Sequence, residues 1–302
     1  MPSMKTMPER DYPKPSTYSI VAYDRSTKSF GIAVQSKFIS VGAVVPWASW
    51  HAGAIATQAY ANTAYGPAGL QLLKEGKSAP DVVKKLVSAD KGREQRQVGV
   101  VDRKGRAATF TGKKCMDWAG GVTGEGYAAQ GNILVDRETV EAMAVTFETS
   151  RAGFPEKLLA CLHAAQKAGG DRRGMQSAAL LVVKNRGGYA GFNDRYVDLR
   201  VDDHAKPIDE LERIFRLYDF TMLSGKEKEM LGIDGRIRLK LQINLSRLKF
   251  YRGPADGKES GALKNALNDY LSTNNFENKK TPPGYISKTV LDYMIKDKRK
   301  KV

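Results

Sequence analysis

Thr17 is the residue whose neighbours most readily make it a nucleophile. It stands directly before an apolar, β-rich run, Tyr18-Ser-Ile-Val-Ala-Tyr23, and behind a stretch punctuated by Pro2, Pro8, Pro13 and Pro15. Removal of residues 1–16 would set a free α-amine beside the Thr17 hydroxyl. Such an amine has an ordinary pKa of about 7.7–8, so near neutral pH it can take the hydroxyl proton. Lys37 follows the second run of the same hairpin. Its ammonium would keep the amine neutral and stabilise developing negative charge. A plainer reading stands beside this one, with Thr17 as a first strand residue and Lys37 as an edge lysine.

Other chemistries find little support. The three histidines are His51, His163 and His204, and no Gly-x-Ser-x-Gly elbow opens a serine triad. No phosphate-binding Gly-rich loop precedes a helix, and Gly120-Gly121 and Gly187-Gly188 read as turn glycines. Cys115 and Cys161 lie in no Cys-x-x-Cys pair, so no structural zinc site is expected. Threonine chemistry of this kind calls for no cofactor and no metal.

The elements that must position Thr17 follow from hydrophobic periodicity. Strands are expected over 18–23, 30–35, 41–45 and 52–56, then helices over 67–74 and from Ala79 onward. Strands return at 97–102, 107–111 and 127–134, helices at 138–149 and 155–167, strands at 177–183 and 196–201, and a helix at 209–218. Strands, a helix pair, strands, a helix pair and strands again fit two face-to-face sheets covered by helices, a four-layer αββα sandwich of α+β class. The early consecutive strands argue against a doubly wound sheet.

The chain has 302 residues, enough for about two domains. Its formal net charge is +16, and residues 205–302 hold 21 Lys and Arg against 13 Asp and Glu, a net of +8. That basic part could attract an anionic polymer, or form a solvated surface. No apolar run is long enough to span a bilayer, so no membrane partner is expected. The first 17 residues lack the apolar core of a secretory signal, so the expected location is cytoplasmic.

Ordered motifs then resemble the domain-of-unknown-function family 1028. They are Thr17-Tyr-Ser-Ile-Val-Ala-Tyr-Asp24, Gly31-Ile-Ala-Val-Gln-Ser-Lys37, Val41-Gly-Ala-Val-Val-Pro-Trp47, and Thr57-Gln-Ala-Tyr-Ala-Asn62 with Tyr65-Gly-Pro67. Gly92 to Asp102, Trp118-Ala-Gly120, Gln130-Gly-Asn132, Gly169 to Gly174 and Val197 to His204 continue the match. The family resembles the N-terminal-nucleophile (Ntn) hydrolases, which implies the αββα sandwich and cleavage of an amide bond in a small molecule or peptide. The resemblance implies attack by Thr17, assisted by Lys37, with Asn62 and Asn132 as donors to the oxyanion. Such donors are worth about 3–4 kcal/mol each in comparable sites. Gln58, Tyr65 and Gln130 are the substrate-binding candidates. The amides also have a local reading, as turn or strand-end groups bonding nearby backbone. The chain departs from the family pattern in having Ser16 before Thr17, and Gly121 where relatives often carry histidine.

Leu245 to Gly257 and Ala262 to Tyr270 are similar to a peptidoglycan-binding-like three-helix module with an Asp256-Gly257 turn. The expected organisation is a leader at 1–16, an Ntn-hydrolase-like domain at 17–218, a linker at 219–239, and a small helical module with a basic tail at 240–302. Two further readings stay open: a non-catalytic protein that holds a small ligand, and a homo-oligomer of the sandwich domain.

Overall fold

A computed structural model describes residues 17–223 and 229–298. The leader 1–16, most of the Lys226–Glu229 charge run and most of the Lys298–Lys301 tail lie outside the described residues. The chain divides between Phe215 and Arg216 into two compact units.

The first unit opens with an antiparallel hairpin of β1 (Thr17–Asp24) and β2 (Ser29–Ser36), in which Thr17 faces Ser36. Asp24 fixes the turn by accepting the Ser26 amide and the hydroxyls of Ser26 and Thr27. Next come β3 (Pro46–Ser49), β4 (Gly53–Ala59), α1 (Tyr65–Lys74), α2 (Ala79–Ala89), β5 (Arg96–Asp102) and β6 (Ala107–Thr111). They are followed by β7 (Gly120–Gly124), β8 (Tyr127–Asn132), α3 (Glu138–Thr149), α4 (Phe154–Lys167), β9 (Ser177–Val183), β10 (Arg195–Val201) and α5 (Pro207–Tyr218).

The strands form two antiparallel sheets, one in the order β10-β9-β2-β1-β8-β7 and the other β3-β4-β5-β6. Helices α3 and α4 pack on the larger sheet and α1 and α2 on the smaller, while β1 and β8 touch β4 and β5. Strand alternation decides what goes where. On β1, Tyr18 turns toward α4, where its hydroxyl donates to Gln166 Oε1 at 3.0 Å. Val21 turns instead into a core with Ile32, Val34, Ala54, Ala56 and Val101. Ile55, Val98 and Val100 point the other way, into a core with Val82 and Leu86 of α2. Each large aliphatic side chain buried there contributes about 1.5–3 kcal/mol.

Two strand assignments change. Residues 41–45 form no strand. A short helical turn occupies Val41–Ala43, entered through Ser40 in the left-handed region (φ 54°), and the Val41 amide donates to Ser177 Oγ at 3.1 Å. Val41 and Val45 thus plug into the core between the sheets. Gly120-Gly121, read as turn glycines, begin β7. A Cβ on Gly121 would stand 2.9 Å from Thr109 and 3.0 Å from the Ala129 carbonyl, so this edge strand packs too closely for a side chain there.

In the second unit, β11 (Met230–Gly232) pairs with β12 (Tyr285–Ser287) beside α6 (Gly235–Arg247), α7 (Gly261–Thr273) and α8 (Lys288–Lys296). Asp234, Ser260 and Ser287 cap the three helices, each accepting an amide in the first turn. The segment 219–239 is thus not a bare linker. The Asp234 cap starts α6 six residues before Leu241, in a charged stretch whose side chains mostly meet solvent. The turn at Asp256-Gly257 is held from beneath by buried Gln242, which donates to Asp256 Oδ1 (3.1 Å) and accepts from the Gly257 amide (2.8 Å). No helix among the described residues is long and apolar enough to cross a membrane.

Gly53 has φ 152°, and a Cβ there would sit 2.4 Å from the Val101 carbonyl. Gly53→Ala is expected to lose about 1–3 kcal/mol, read as a lower urea midpoint at unchanged slope. An unshifted midpoint would contradict the close approach of β4 and β5.

Candidate active site

Antiparallel register brings seven polar side chains to one end of the facing sheets. Thr17 lies opposite Ser36 on one side and Asn132 on the other, Ser19 lies opposite Gln130, and Gln58 lies opposite Gln97. All seven are essentially without solvent exposure. Buried polar groups are costly unless they are bonded, and these bond to one another across the sheets. Ser19 Oγ donates to Gln58 Oε1 at 2.5 Å and accepts from Gln130 Nε2 at 2.7 Å. Gln97 Oε1 accepts from Gln58 Nε2 (2.8 Å) and Asn132 Nδ2 (3.0 Å), while Gln97 Nε2 donates to the Gly131 carbonyl (2.7 Å) and Thr111 Oγ1 (2.9 Å).

Thr17 is gripped by this layer at both of its polar ends. Its Oγ1 is 3.1 Å from Ser36 Oγ, and its carbonyl accepts from Gln58 Nε2 at 3.3 Å and Asn132 Nδ2 at 3.5 Å. Two acceptors in the layer, Gln130 Oε1 and Asn132 Oδ1, have no hydrogen-bond partner among the described residues. Gly99 makes room for the first: a Cβ there would fall 2.1 Å from it.

Asn132 also walls a cavity of about 50 Å³ together with Ala59, Tyr60, Lys114, Cys115 and Ile133. That volume holds one or two waters, each taking about 30 Å³ of liquid. Ala59 (φ 63°) and Ile133 (φ 54°) both take left-handed backbone at its rim, an uncommon conformation for such residues. Burial pushes the Cys115 thiol up to about 11, which leaves it a poor thiolate at neutral pH.

Asn62 and Tyr65 belong to a neighbouring cluster around Asp90. Asp90 Oδ2 accepts from Arg96 Nε (2.9 Å), Tyr65 OH (2.9 Å) and Asn62 Nδ2 (3.2 Å), and Oδ1 accepts from the Gly92 amide (2.7 Å). Arg96 also donates to the Tyr60 carbonyl at 2.6 Å, fixing the loop that reaches the cavity. Lys37 is exposed; its ammonium donates to the Met175 carbonyl at 3.3 Å and its amide to Asp171 Oδ2 at 2.9 Å. Of the sequence candidates, Thr17, Gln58, Gln130 and Asn132 therefore meet. Asn62 and Tyr65 gather around Asp90 instead, and Lys37 turns to Met175. Sequence reasoning missed Ser36, Gln97, Asp90 and Arg96. Alternation gave a signal for Ser36 alone, since it pairs with Thr17 once the hairpin register is known.

Residues 17–211 match the family described as "Family of unknown function (DUF1028)", and the chain belongs to that family. Residues 221–294 match the family described as "Putative peptidoglycan binding domain". Among solved structures, the chain is similar to the crystal structure of a DUF1028-family protein from Silicibacter pomeroyi. The two share 35% identity and a TM-score of 0.64, and the match covers 69% of this chain and 88% of that one. A comparison with curated proteins gave no match.

Gln97→Ala should leave the amides of Gln58 and Asn132 with only their longer bonds to backbone carbonyls and cost about 1–3 kcal/mol in urea denaturation. A neutral effect would mean the layer bears no strain from its loss. Asp90 gives a pH test. Burial pushes its carboxyl up, but the bonds from Arg96, Asn62, Gly92 and Tyr65 outweigh that and hold it below the usual carboxylate range. A lowered folded pKa stabilises the protein above the unfolded value of about 3.9, and this is lost as pH falls through the folded value. The urea midpoint of the wild type should thus fall more steeply below about pH 4 than that of Asp90→Asn. Parallel curves would refute the assignment.

Proposed function

We propose that the first unit is an amide-bond hydrolase of the N-terminal-nucleophile type, with Thr17 as its nucleophile and an αββα four-layer sandwich as its frame. The observation that carries this is the Thr17 side chain itself. It is a strand-end hydroxyl turned between two sheets, 3.1 Å from a second hydroxyl, on a residue whose carbonyl is anchored by two side-chain amides. The helices packed on each sheet and the contacts between β1 and β4 and between β8 and β5 support the frame.

The chemistry begins with hydrolysis of the Ser16–Thr17 peptide bond, which frees the Thr17 amine. Desolvation lowers the pKa of a buried ammonium and so favours the neutral base. The amine accepts the proton of Oγ1 as Oγ1 bonds to the substrate carbonyl carbon. The same proton passes to the departing substrate nitrogen as the C–N bond breaks, leaving an ester on Thr17. Water, deprotonated by the amine, then releases the acid and restores the hydroxyl. Ser36 is the partner that orients Oγ1 in this scheme, in place of Lys37. Asn132, whose Nδ2 lies near the Thr17 carbonyl, is the favoured oxyanion donor once substrate enters.

A second reading rests on a specific observation: Thr17 is fully buried and the adjoining cavity is about 50 Å³, which suits retention of a very small ligand. The second unit, by its family description, is read as an appendage that docks a polymer such as peptidoglycan.

Intact mass and N-terminal sequencing of turnover-competent protein should give Thr17 as the first residue. On a panel of acyl p-nitroanilides, Thr17→Ala should abolish hydrolysis while retaining the wild-type unfolding free energy, from urea denaturation, to within about 1 kcal/mol. Undiminished turnover in that variant, or full turnover by molecules that keep residues 1–16, would refute the nucleophile.

A further inference from the structure

The far end of the smaller sheet holds a second cavity. Strand β5 runs from Arg96, beside the Thr17 layer, to Asp102, and six residue steps at about 3.3 Å put the two ends roughly 20 Å apart. At the Asp102 end lies a cavity of about 350 Å³, within the range of about 300–1,000 Å³ that small-molecule sites occupy. Five of the residues that line it are cationic: Lys74, Lys77, Arg103, Lys104 and Arg106. Among the described residues, Asp102 is the sole acid in the wall.

Asp102 neutralises only Arg106 and leaves the other four cations in place. It is 3% exposed. Its Oδ2 accepts from Arg106 Nε (2.7 Å) and the Ala79 amide (3.1 Å), and its Oδ1 accepts from the amides of Lys104 (2.8 Å) and Arg106 (3.2 Å). One buried carboxylate thus ties the start of α2 to the turn between β5 and β6. It thereby clamps two basic segments, 74–77 and 103–106, around one space. Gly105, at φ 77°, lets that turn close tightly. Lys74, Lys77, Arg103 and Lys104 make no ion pair among the described residues. The neighbouring acids bond to neutral donors, Glu75 to Gln71 Nε2 and Asp81 to the Ser78 hydroxyl, and the Asp81 charge is also felt by Lys77 and Arg106.

Four unpaired cations held around one cavity repel one another, and an anion relieves that repulsion. The α2 terminus adds little of its own, because the Ala79 amide is taken by Asp102, the Asp81 amide by Ser78 Oγ, and Pro80 has none. Recognition therefore falls to side chains and should be strongly screened by salt. Cations spread over both segments suit several linked anionic groups better than a single one. We propose that this cavity binds the phosphate chain of a small molecule carrying two or more linked phosphates, at a site separate from the Thr17 layer and independent of its chemistry.

Isothermal titration calorimetry of the full chain with inorganic tripolyphosphate and with a nucleoside triphosphate tests this. Both should bind with one-to-one stoichiometry, and binding should weaken at least about tenfold between about 0.05 M and about 0.2 M salt. Lys77→Ala with Lys104→Ala should weaken it by about tenfold or more, whereas Lys240→Ala with Lys264→Ala, which removes the same charge from the second unit, should not. Tighter binding of the nucleotide assigns a nucleotide ligand and equal binding assigns the phosphate chain alone; both sustain the site. Failure of both probes to bind at millimolar concentration, or an equal loss in the two double variants, would overturn it.

Discussion

The first unit depends on a layer of side-chain amides shut between two sheets. Ser19, Gln58, Gln97, Gln130 and Asn132 sit where an ordinary core would place valine or leucine. Such a layer is tolerable only when its members satisfy one another, because each unmet polar group in a dry interior costs about 1–3 kcal/mol. Mutual satisfaction demands a fixed register in four strands at once, β1, β4, β5 and β8. The apolar residues a few positions along the same strands, such as Val21, Ala56 and Val101, supply the adhesion; the amides supply the alignment. Thr17 inherits its orientation from that alignment, since the same amides hold its carbonyl and its strand partner holds its hydroxyl.

The layer is also where the molecule is incompletely satisfied. Gln130 Oε1 and Asn132 Oδ1 lack partners among the described residues, and the second belongs to a residue that walls the small cavity. A local imbalance of this kind is expected where function competes with stability. The surroundings compensate for it with rigidity. The Asp90 cluster braces the loop from Tyr60 to Tyr65 through an ion pair that is largely shielded from water and so less screened by salt than its exposed counterparts elsewhere on the chain. Asp102 plays the corresponding part at the opposite end of β5, so both ends of one strand are pinned by a carboxylate, Asp90 chiefly through side-chain donors and Asp102 through three backbone amides and Arg106.

Much of this was readable from the residues. Helical spacing in Val82, Val83 and Leu86 predicts α2, because one-sided burial of a helix imposes a period, and the apolar, β-rich runs Tyr18–Tyr23 and Phe30–Gln35 about a polar turn predict the hairpin. Residues 41–45 look like a strand for the same reason, yet they fill space between sheets, a tertiary demand that leaves no periodic trace. Strand β7 hides because its glycines are chosen for close packing and not for β propensity. Within the site, Thr17 and Asn132 were legible from motif resemblance. Ser36 was legible only through the hairpin register, and Gln97 was not legible, since its part depends on which residues the facing sheet sets above it. Lys37 shows the converse: a basic residue at a promising position whose side chain is drawn to a local carbonyl instead.

The central claim is that the amide layer presents Thr17 Oγ1 as the reactive atom. The most direct measurement is a crystal structure of the chain beginning at Thr17 after reaction with a β-lactone, an electrophile that acylates activated hydroxyls. The account predicts an ester on Thr17 Oγ1, with the bonds among Gln58, Gln97 and Asn132 unchanged. An adduct on Ser36 or Cys115, or an unmodified Thr17 within an intact layer, would contradict it.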